Sequence, residues 1–525
     1  MHLAGMASNR GRNLLNVADR APGGAELAVV LTNDADAPVL AGAAERDIPT
    51  EVVEREDGED RAAHEERVLD ALADYDVDLV CLDGYMRVLT GTFVESAPTA
   101  LNVHPSLLPA FPGADAHEQV LDAGVSVTGC TVHVVTEEVD DGPIVTQEAV
   151  PVYADDDADA LKERVLYEGE FRAYPRAIRW FAEDRVTVDR DAGTATVEGD
   201  DAGRFPARRV VSEDRVADLR YGENPHQDAA VYADPTCEEA TVVDAVQRNA
   251  GAKDLSYNNY NDADAALDLV TEFDDPAAAV IKHTNPAGCA TADTLATAYD
   301  RALATDPMSA FGGIVALNRE CDRETAAAVT DSFKEVVVAP GYTDAALDAL
   351  SEKENLRVLD VGPLGGAPQT VHEKQVVGGR LVQERDRQRL TPAALDVVTE
   401  QEPTEEQIES MLFAWQVVKH VTSNAVLFAS GTETVGVGAG QVSRIDAVEL
   451  AVRKAAEHAE GKTTEGSVLA SDAFFFPDTV DAAADAGAAA LIQPGGSKRD
   501  DEVIDRADEL GLPMAFTGQR AFRHD

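Results

Sequence analysis

Basic side chains are scarce in this sequence: Lys and Arg total 44 against 97 Asp and Glu, for a formal net charge of −53. That deficit argues against nucleic acid as a partner, because phosphate binding is driven by basic patches that release counterions. Lysine is rarer still, with 10 residues, and the acidic excess is spread along the chain rather than held in one block. Such a surface repels itself in dilute buffer and is relieved by abundant salt, so the expectation is a halophilic protein from a salt-rich cytosol. Cysteine is sparse as well. Cys81, Cys130, Cys237, Cys289 and Cys321 form an odd set without a CxxC spacing, which fits neither a disulfide framework nor a four-thiolate zinc site, and no metal is expected. No run reaches eighteen apolar residues, and Arg10, Arg12 and Asn13 stand where a signal peptide needs its apolar core. The expectation is a soluble cytoplasmic protein with no membrane partner.

What is present is a globular α/β chain. Its 525 residues, 44% hydrophobic, suffice for three to five compact units. Over residues 1–182, apolar runs such as HLAGMA, AELAVVLTN, VDLVCLDGYM and VTGCTVHVV alternate with helix-like stretches, the pattern of βαβ units and a largely parallel, Rossmann-like sheet. Residues 183–211 are polar and acidic, with a short VTV/TATV hairpin pattern, and are read as a linker. Residues 212–525 return to strands alternating with Ala-rich helices and divide into subdomains at about 212–365 and 366–525.

Chemistry-bearing residues fall into two constellations. In the first, Gly11 permits a tight turn between a strand and a helix opening at Asn13, where backbone amides and Arg12 could cradle a phosphate. Further on, Asn102 and His104 share one face of a strand that Pro105 stops. The imidazole can handle a proton while the amide donates to an oxyanion. Asp140, in a loop, can orient a water or the histidine. Taken singly, each of these reads equally as a turn, a structural histidine or a solvated acid.

The ordered motifs SNRGRNL, DGYMRVL, NVHPSLLPAFPG, VDDGPI and EFRAYPRAIRWF resemble glycinamide ribonucleotide (GAR) formyltransferase over residues 1–182. The resemblance implies transfer of a formyl group from 10-formyltetrahydrofolate to an amine. It assigns Asn102, His104 and Asp140 to catalysis, Gly11, Arg12 and Asn13 to the GAR phosphate, and Glu170 to the ribose. Met86, Arg87, Val88 and Leu89 would line the folate pocket. Asn9 and Arg12 stand where that family has Gly and Ser, and Ala114-Asp115 where it has Leu-His. Methionyl-tRNA formyltransferase shares the HPSLLP-type core, but it needs a basic tRNA-binding surface that a charge of −53 does not supply.

The second constellation centres on Lys282 and His283 at the end of the apolar strand AAAVIKH, with a break expected at Asn285-Pro286. Around it lie LRYGENPHQ, KDLSYNNYNDADAA, DPMSAFGGIVALN, SNAVLFA, VGAGQVSRIDA, ASDAFFFPD, IQPGGSKRDDEV and FTGQRAFRH. This order resembles the transformylase portion of the bifunctional purine enzyme that formylates aminoimidazole carboxamide ribonucleotide (AICAR). By that resemblance the fold is cytidine-deaminase-like, His283 is the general base, Lys282 stabilises the oxyanion or protonates the leaving folate nitrogen, and Asn424 lies near the formyl group. Arg220, Tyr221, Asn259, Gly312, Glu335, Arg520, Phe522 and His524 would contact AICAR, and Asp478 the folate, although FFPFRD is shortened here to FFFPD. The absence of an HxE with PCxxC excludes zinc deamination.

The two resemblances together imply a fused enzyme that carries out both folate-dependent formyl transfers of purine (IMP) biosynthesis. A homodimer is expected, with a separate IMP cyclohydrolase acting downstream. The alternative is an AICAR transformylase whose first half is non-catalytic or formylates another amine.

Overall fold

The computed structural model describes residues 1–199, 203–249 and 252–524, so residues 200–202 of the expected linker lie outside the described residues. The chain divides into two compact units, Met1–Val210 and Val211–Asp525.

The first unit is built on a seven-stranded sheet of order β3-β2-β1-β4-β5-β6-β7. Its strands are β1 (His2–Met6), β2 (Glu26–Thr32), β3 (Thr50–Val52), β4 (Leu79–Leu82), β5 (Ala100–His104), β6 (Val127–Val134) and β7 (Ile144–Pro151). The first five are parallel, in line with the expected βαβ pattern. The run VTGCTVHVV forms β6 antiparallel to both neighbours; towards β7 the short connection 135–143 turns the chain back as a hairpin, where a parallel return needs a crossover of a dozen or more residues. Strand order reverses at β1 and β4, and their carboxyl ends open the crevice where α/β sheets receive ligands. The loop before the Arg12–Arg20 helix and the loop after β4 both border that crevice. Beneath it, the buried Tyr174 hydroxyl donates to the carbonyls of Leu82 (2.9 Å) and Leu101 (3.1 Å), tying β4 and β5 to the Phe171–Ala182 helix. The VTV/TATV hairpin forms, pairing Val186–Asp189 with Thr194–Val197.

The second unit carries a 12-stranded sheet. Strands from residues 246–360 make one side and strands from 396–516 the other, and the two meet where Ala290 pairs with Glu433. At its centre Ala277–Lys282 and Asn285–Thr291 form an antiparallel hairpin. The expected break at Asn285-Pro286 is therefore corrected: the turn is His283-Thr284, with φ of 52° and 61°. Two-residue hairpin loops favour left-handed φ because it matches the twist of the flanking strands. Pro286 is accommodated inside the strand, where the register shifts between Val280 and Ile281. Among the described residues no helix is long and apolar enough to cross a membrane.

Candidate active sites

In the first unit, β5 and β6 set the register Asn102↔His133. Alternation then places His104 on the same face as Asn102. The loop carboxylate of Asp140 closes on this face: Oδ2 lies 3.2 Å from His104 Nδ1 and Oδ1 lies 3.5 Å from His133 Nε2. The side chain of Asp140 is 8% exposed, so it is not a solvated acidic turn. Burial works to raise its pKa, but the hydrogen bonds from His133 and the Gly113 amide, with the charges of both histidines, outweigh burial and hold it below the usual carboxylate range. His133 was not singled out by the sequence, although its strand was; only the antiparallel register brings its Nε2 to 3.2 Å from the Asn102 amide. His104 Nε2 is 2.8 Å from the Phe111 carbonyl. Both of its ring nitrogens thus face oxygens, and the Asn102 amide lies on the same strand face.

A cavity of about 570 Å³ lies over the crevice, lined by Asn9, Arg12, Asn13, His117, Lys162 and Glu170 among others. Gly11 takes the left-handed conformation (φ 56°) before the Arg12–Arg20 helix, and a Cβ there would meet Val39 at 2.4 Å. The expected phosphate amides are partly taken: Gly11 N–H donates to Asn9 Oδ1 (2.9 Å) and Asn13 N–H to Asp83 Oδ2 (2.8 Å). Arg12 pairs with Glu163 at 2.9 Å. The Asn13 side-chain amide donates to Asp83 Oδ1 (3.1 Å) and Glu170 Oε2 (2.6 Å). Burial, reinforced by the charge of Asp83, pushes Glu170 up to about 7. Burial likewise brings His117 down to about 4, aided by the charges of Lys162 and His104. Of the expected folate residues, Met86, Arg87 and Val88 are exposed, whereas Leu89 is buried in the core with Leu82 and Phe93.

In the second unit the His283-Thr284 turn is held by Asp262, whose carboxylate accepts from His283 N–H (3.1 Å) and Thr284 N–H (2.7 Å). Asp262 lies inside a quoted motif but was not singled out by the sequence. Lys282 Nζ donates to the Phe311 carbonyl (2.7 Å), which sets it beside Gly312. Asn259 caps its own helix and donates to Glu335 Oε2 at 2.9 Å, joining two of the expected AICAR contacts. Asn285 donates to the His283 carbonyl and accepts from Thr422 N–H, linking the turn to the Ser423-Asn424 segment. The Ser423-Asn424 peptide is cis. Arg444 donates to Asn424 Oδ1 (2.8 Å) and to the fully buried Asp472 (2.5 Å), while Asn424 Nδ2 donates to the carbonyls of Gln441 and Val442. The C-terminal segment joins through Ser423 N–H, which donates to the Arg523 carbonyl at 2.9 Å. Within that segment Arg520 stacks on Phe522, and Phe522 meets His524 edge to face. A cavity of about 300 Å³ is lined by Lys282, His283, Asn285, Ser309 and Lys454. Arg220 stacks on Tyr221 on an exposed loop, and Asp478 is exposed at the start of the Pro477–Asp485 helix.

Residues 1–178, which span the first unit's sheet and its crevice, match the family described as formyl transferase. Residues 176–454, more than half of the chain, match the family described as AICARFT/IMPCHase bienzyme. The chain belongs to the AICARFT/IMPCHase bienzyme family, with a formyl transferase domain ahead of the matched region. The bifunctional purine biosynthesis protein PurH of Roseobacter denitrificans is 49% identical over 349 residues, covering 64% of this chain and 65% of that relative. The protein of the same name from Oceanobacillus iheyensis is 47% identical over 322 residues, covering 61% and 62%. The chain therefore spans less than two thirds of the length of either relative. A crystal structure of glycinamide ribonucleotide transformylase 1 from Symbiobacterium toebii aligns with 38% of this chain and 93% of its own, at 40% identity and a TM-score of 0.36.

Proposed function

We propose that the chain is a bifunctional formyltransferase of purine biosynthesis, moving the formyl group of 10-formyltetrahydrofolate to GAR in the first unit and to AICAR in the second. The observation that carries this reading is that each unit assembles its own polar constellation from distant segments: Asn102, His104 and Asp140 in one, and Lys282-His283 with Asn285 and Asn424 in the other. In the first, attack of the amine on the formyl carbon builds an oxyanion beside the Asn102 amide, while the Asp140–His104 pair handles the proton through water. In the second, His283 removes the proton of a weakly nucleophilic amine and Lys282 supports the oxyanion or protonates the leaving folate nitrogen.

No cyclohydrolase activity and no resident metal are proposed for this chain, and the closure of formylated AICAR to IMP is assigned to a separate enzyme. A homodimer is proposed; the exposed Met308, Phe311 and Phe333 beside Lys282 support it, and sedimentation as a monomer in salt would count against it. A cytoplasmic, salt-rich setting is also proposed, and the charge of −53 supports its salt-rich part. Thermal stability that rises steeply with KCl supports that setting, and stability indifferent to salt overturns it.

The deciding experiment is a formyl-transfer assay at molar salt, following tetrahydrofolate release with GAR and AICAR supplied separately. Turnover of both is expected. Turnover of AICAR alone would favour the second reading, a non-catalytic or differently specific first unit. One observation speaks for that second reading: Asn9 and Asp83 occupy the amides of Gly11 and Asn13.

A further inference from the structure

Two carboxylates are buried together at the floor of the first unit's cavity. Glu170 is 9% exposed and Asp83 is 9% exposed, and the amide nitrogen of Asn13 donates to both. Glu170 sits there because the turn Val165–Glu170 is a π turn that runs directly into the Phe171–Ala182 helix, where Pro175 lacks the N–H of a regular ladder. Asp83 follows β4 and also accepts the backbone N–H of Asn13, so an internal anion occupies the first turn of the Arg12–Arg20 helix. A second, independent feature points to a missing partner: Asn13 is 1% exposed, lines the cavity, and its Oδ1 accepts no hydrogen bond.

The surrounding charges do not neutralise two anions. From the loop before the helix bearing Asn13 comes Arg10, and from that helix Arg12, already paired with Glu163. From the Ala158–Arg164 helix come Lys162, Glu163 and Asp159, and from the Ala116–Ala123 helix comes His117, which burial keeps neutral. Behind Glu170 lies the Cys130 thiol, and behind Asp83 the Tyr174 hydroxyl, both un-ionised through burial. Like charges this close in a buried site disfavour full ionisation of both.

We propose that Asp83 and Glu170 hold one proton between them at neutral pH, and that binding of the phosphorylated amine acceptor is linked to that proton, so that Asp83 determines acceptor affinity and its pH dependence. The proposal rests on the reading of the first unit as a formylase of a phosphorylated amine. A phosphate arriving at the same helix end adds negative charge and favours the protonated pair, so above pH 7, where the pair gives up its proton, binding draws one from solvent. The neutral carboxyl of Glu170 then has an O–H to donate to a hydroxyl or to Asn13 Oδ1, which ends that oxygen's isolation. If only the protonated pair accepts the ligand, affinity falls roughly tenfold between pH 6 and pH 8 for a group titrating near 7.

The test has two arms on the whole chain. Infrared difference spectra against pH report the apo protein: a carboxylic acid signal that disappears near pH 7, and is absent from both Asp83→Asn and Glu170→Gln, is expected. Loss of all such signal by pH 5 would overturn the proposal, whatever the acceptor. Calorimetry with GAR in two buffers of different ionisation enthalpy reports proton uptake, expected in the native chain and lost in Asp83→Asn, whose affinity no longer falls with pH. Tight GAR binding with no proton uptake overturns the inference but leaves the GAR reading intact. No GAR binding by a native chain that still formylates AICAR overturns both.

Discussion

His104 Nδ1 and Asp140 Oδ2 lie 3.2 Å apart, one at the end of a strand and the other in a loop after the next strand, both almost fully buried. Asn102 lies on the same strand face and carries the amide that can donate to a developing oxyanion. Asn102→Ala should therefore lower GAR formylation by a factor of about 10²–10³, the usual effect of deleting one oxyanion donor, and leave AICAR formylation unchanged. Tetrahydrofolate release with each acceptor in turn reads both numbers from one preparation.

Lys282→Ala and His283→Ala should show the reverse pattern. Removing a proton-transfer group lowers rates by roughly 10²–10⁴, so AICAR turnover collapses while GAR turnover persists. Equal loss of both activities would mean that the substitutions disturb more than the hairpin turn.

Glu170 makes a stability prediction with a definite sign. Its carboxyl titrates near 4.5 in an ordinary setting and at about 7 in the fold. The folded state therefore binds the proton more tightly, and the stability this adds is full below 4.5 and lost as pH rises through 7. Glu170→Gln should match the native chain near pH 4 and exceed it at pH 8 by up to about 3 kcal/mol. Hydrogen exchange of the β1 and β4 amides at the two pH values measures the difference.

Arg444 holds Asp472, which is 0% exposed, and orients the Asn424 amide. Arg444→Ala leaves a buried carboxylate without its cation and should destabilise the second unit by about 3–5 kcal/mol, seen as an earlier urea transition. AICAR formylation should fall under conditions where the variant remains folded, because Asn424 loses the contact that fixes its carbonyl oxygen.

Much of this was legible in one dimension. Asn102 and His104 are two apart on an apolar strand, and period-two alternation alone puts them on one face. Lys282 ends a strand and His283 opens the turn, as their neighbours imply, although the turn falls at His283-Thr284, two positions earlier than the Asn-Pro pair would place it. What could not be read are the partners. His133, Asp83 and Asp262 sit in segments with ordinary strand, loop and helix patterns, and nothing local marks them. Their roles arise from the antiparallel entry of β6, from the crevice between β1 and β4, and from the helix packed under the hairpin.

By itself the sequence determined the alternation of strands and helices, the acidic composition and the residue types of the two constellations, because these depend on composition and near-neighbour spacing. Only the tertiary structure decided which carboxylates are buried and what they face. Asp140 meets two histidines and titrates low, whereas Glu170 meets Asp83 across one amide and titrates high. The difference lies in desolvation and in the sign of the nearest charge, and both are properties of three-dimensional neighbourhoods.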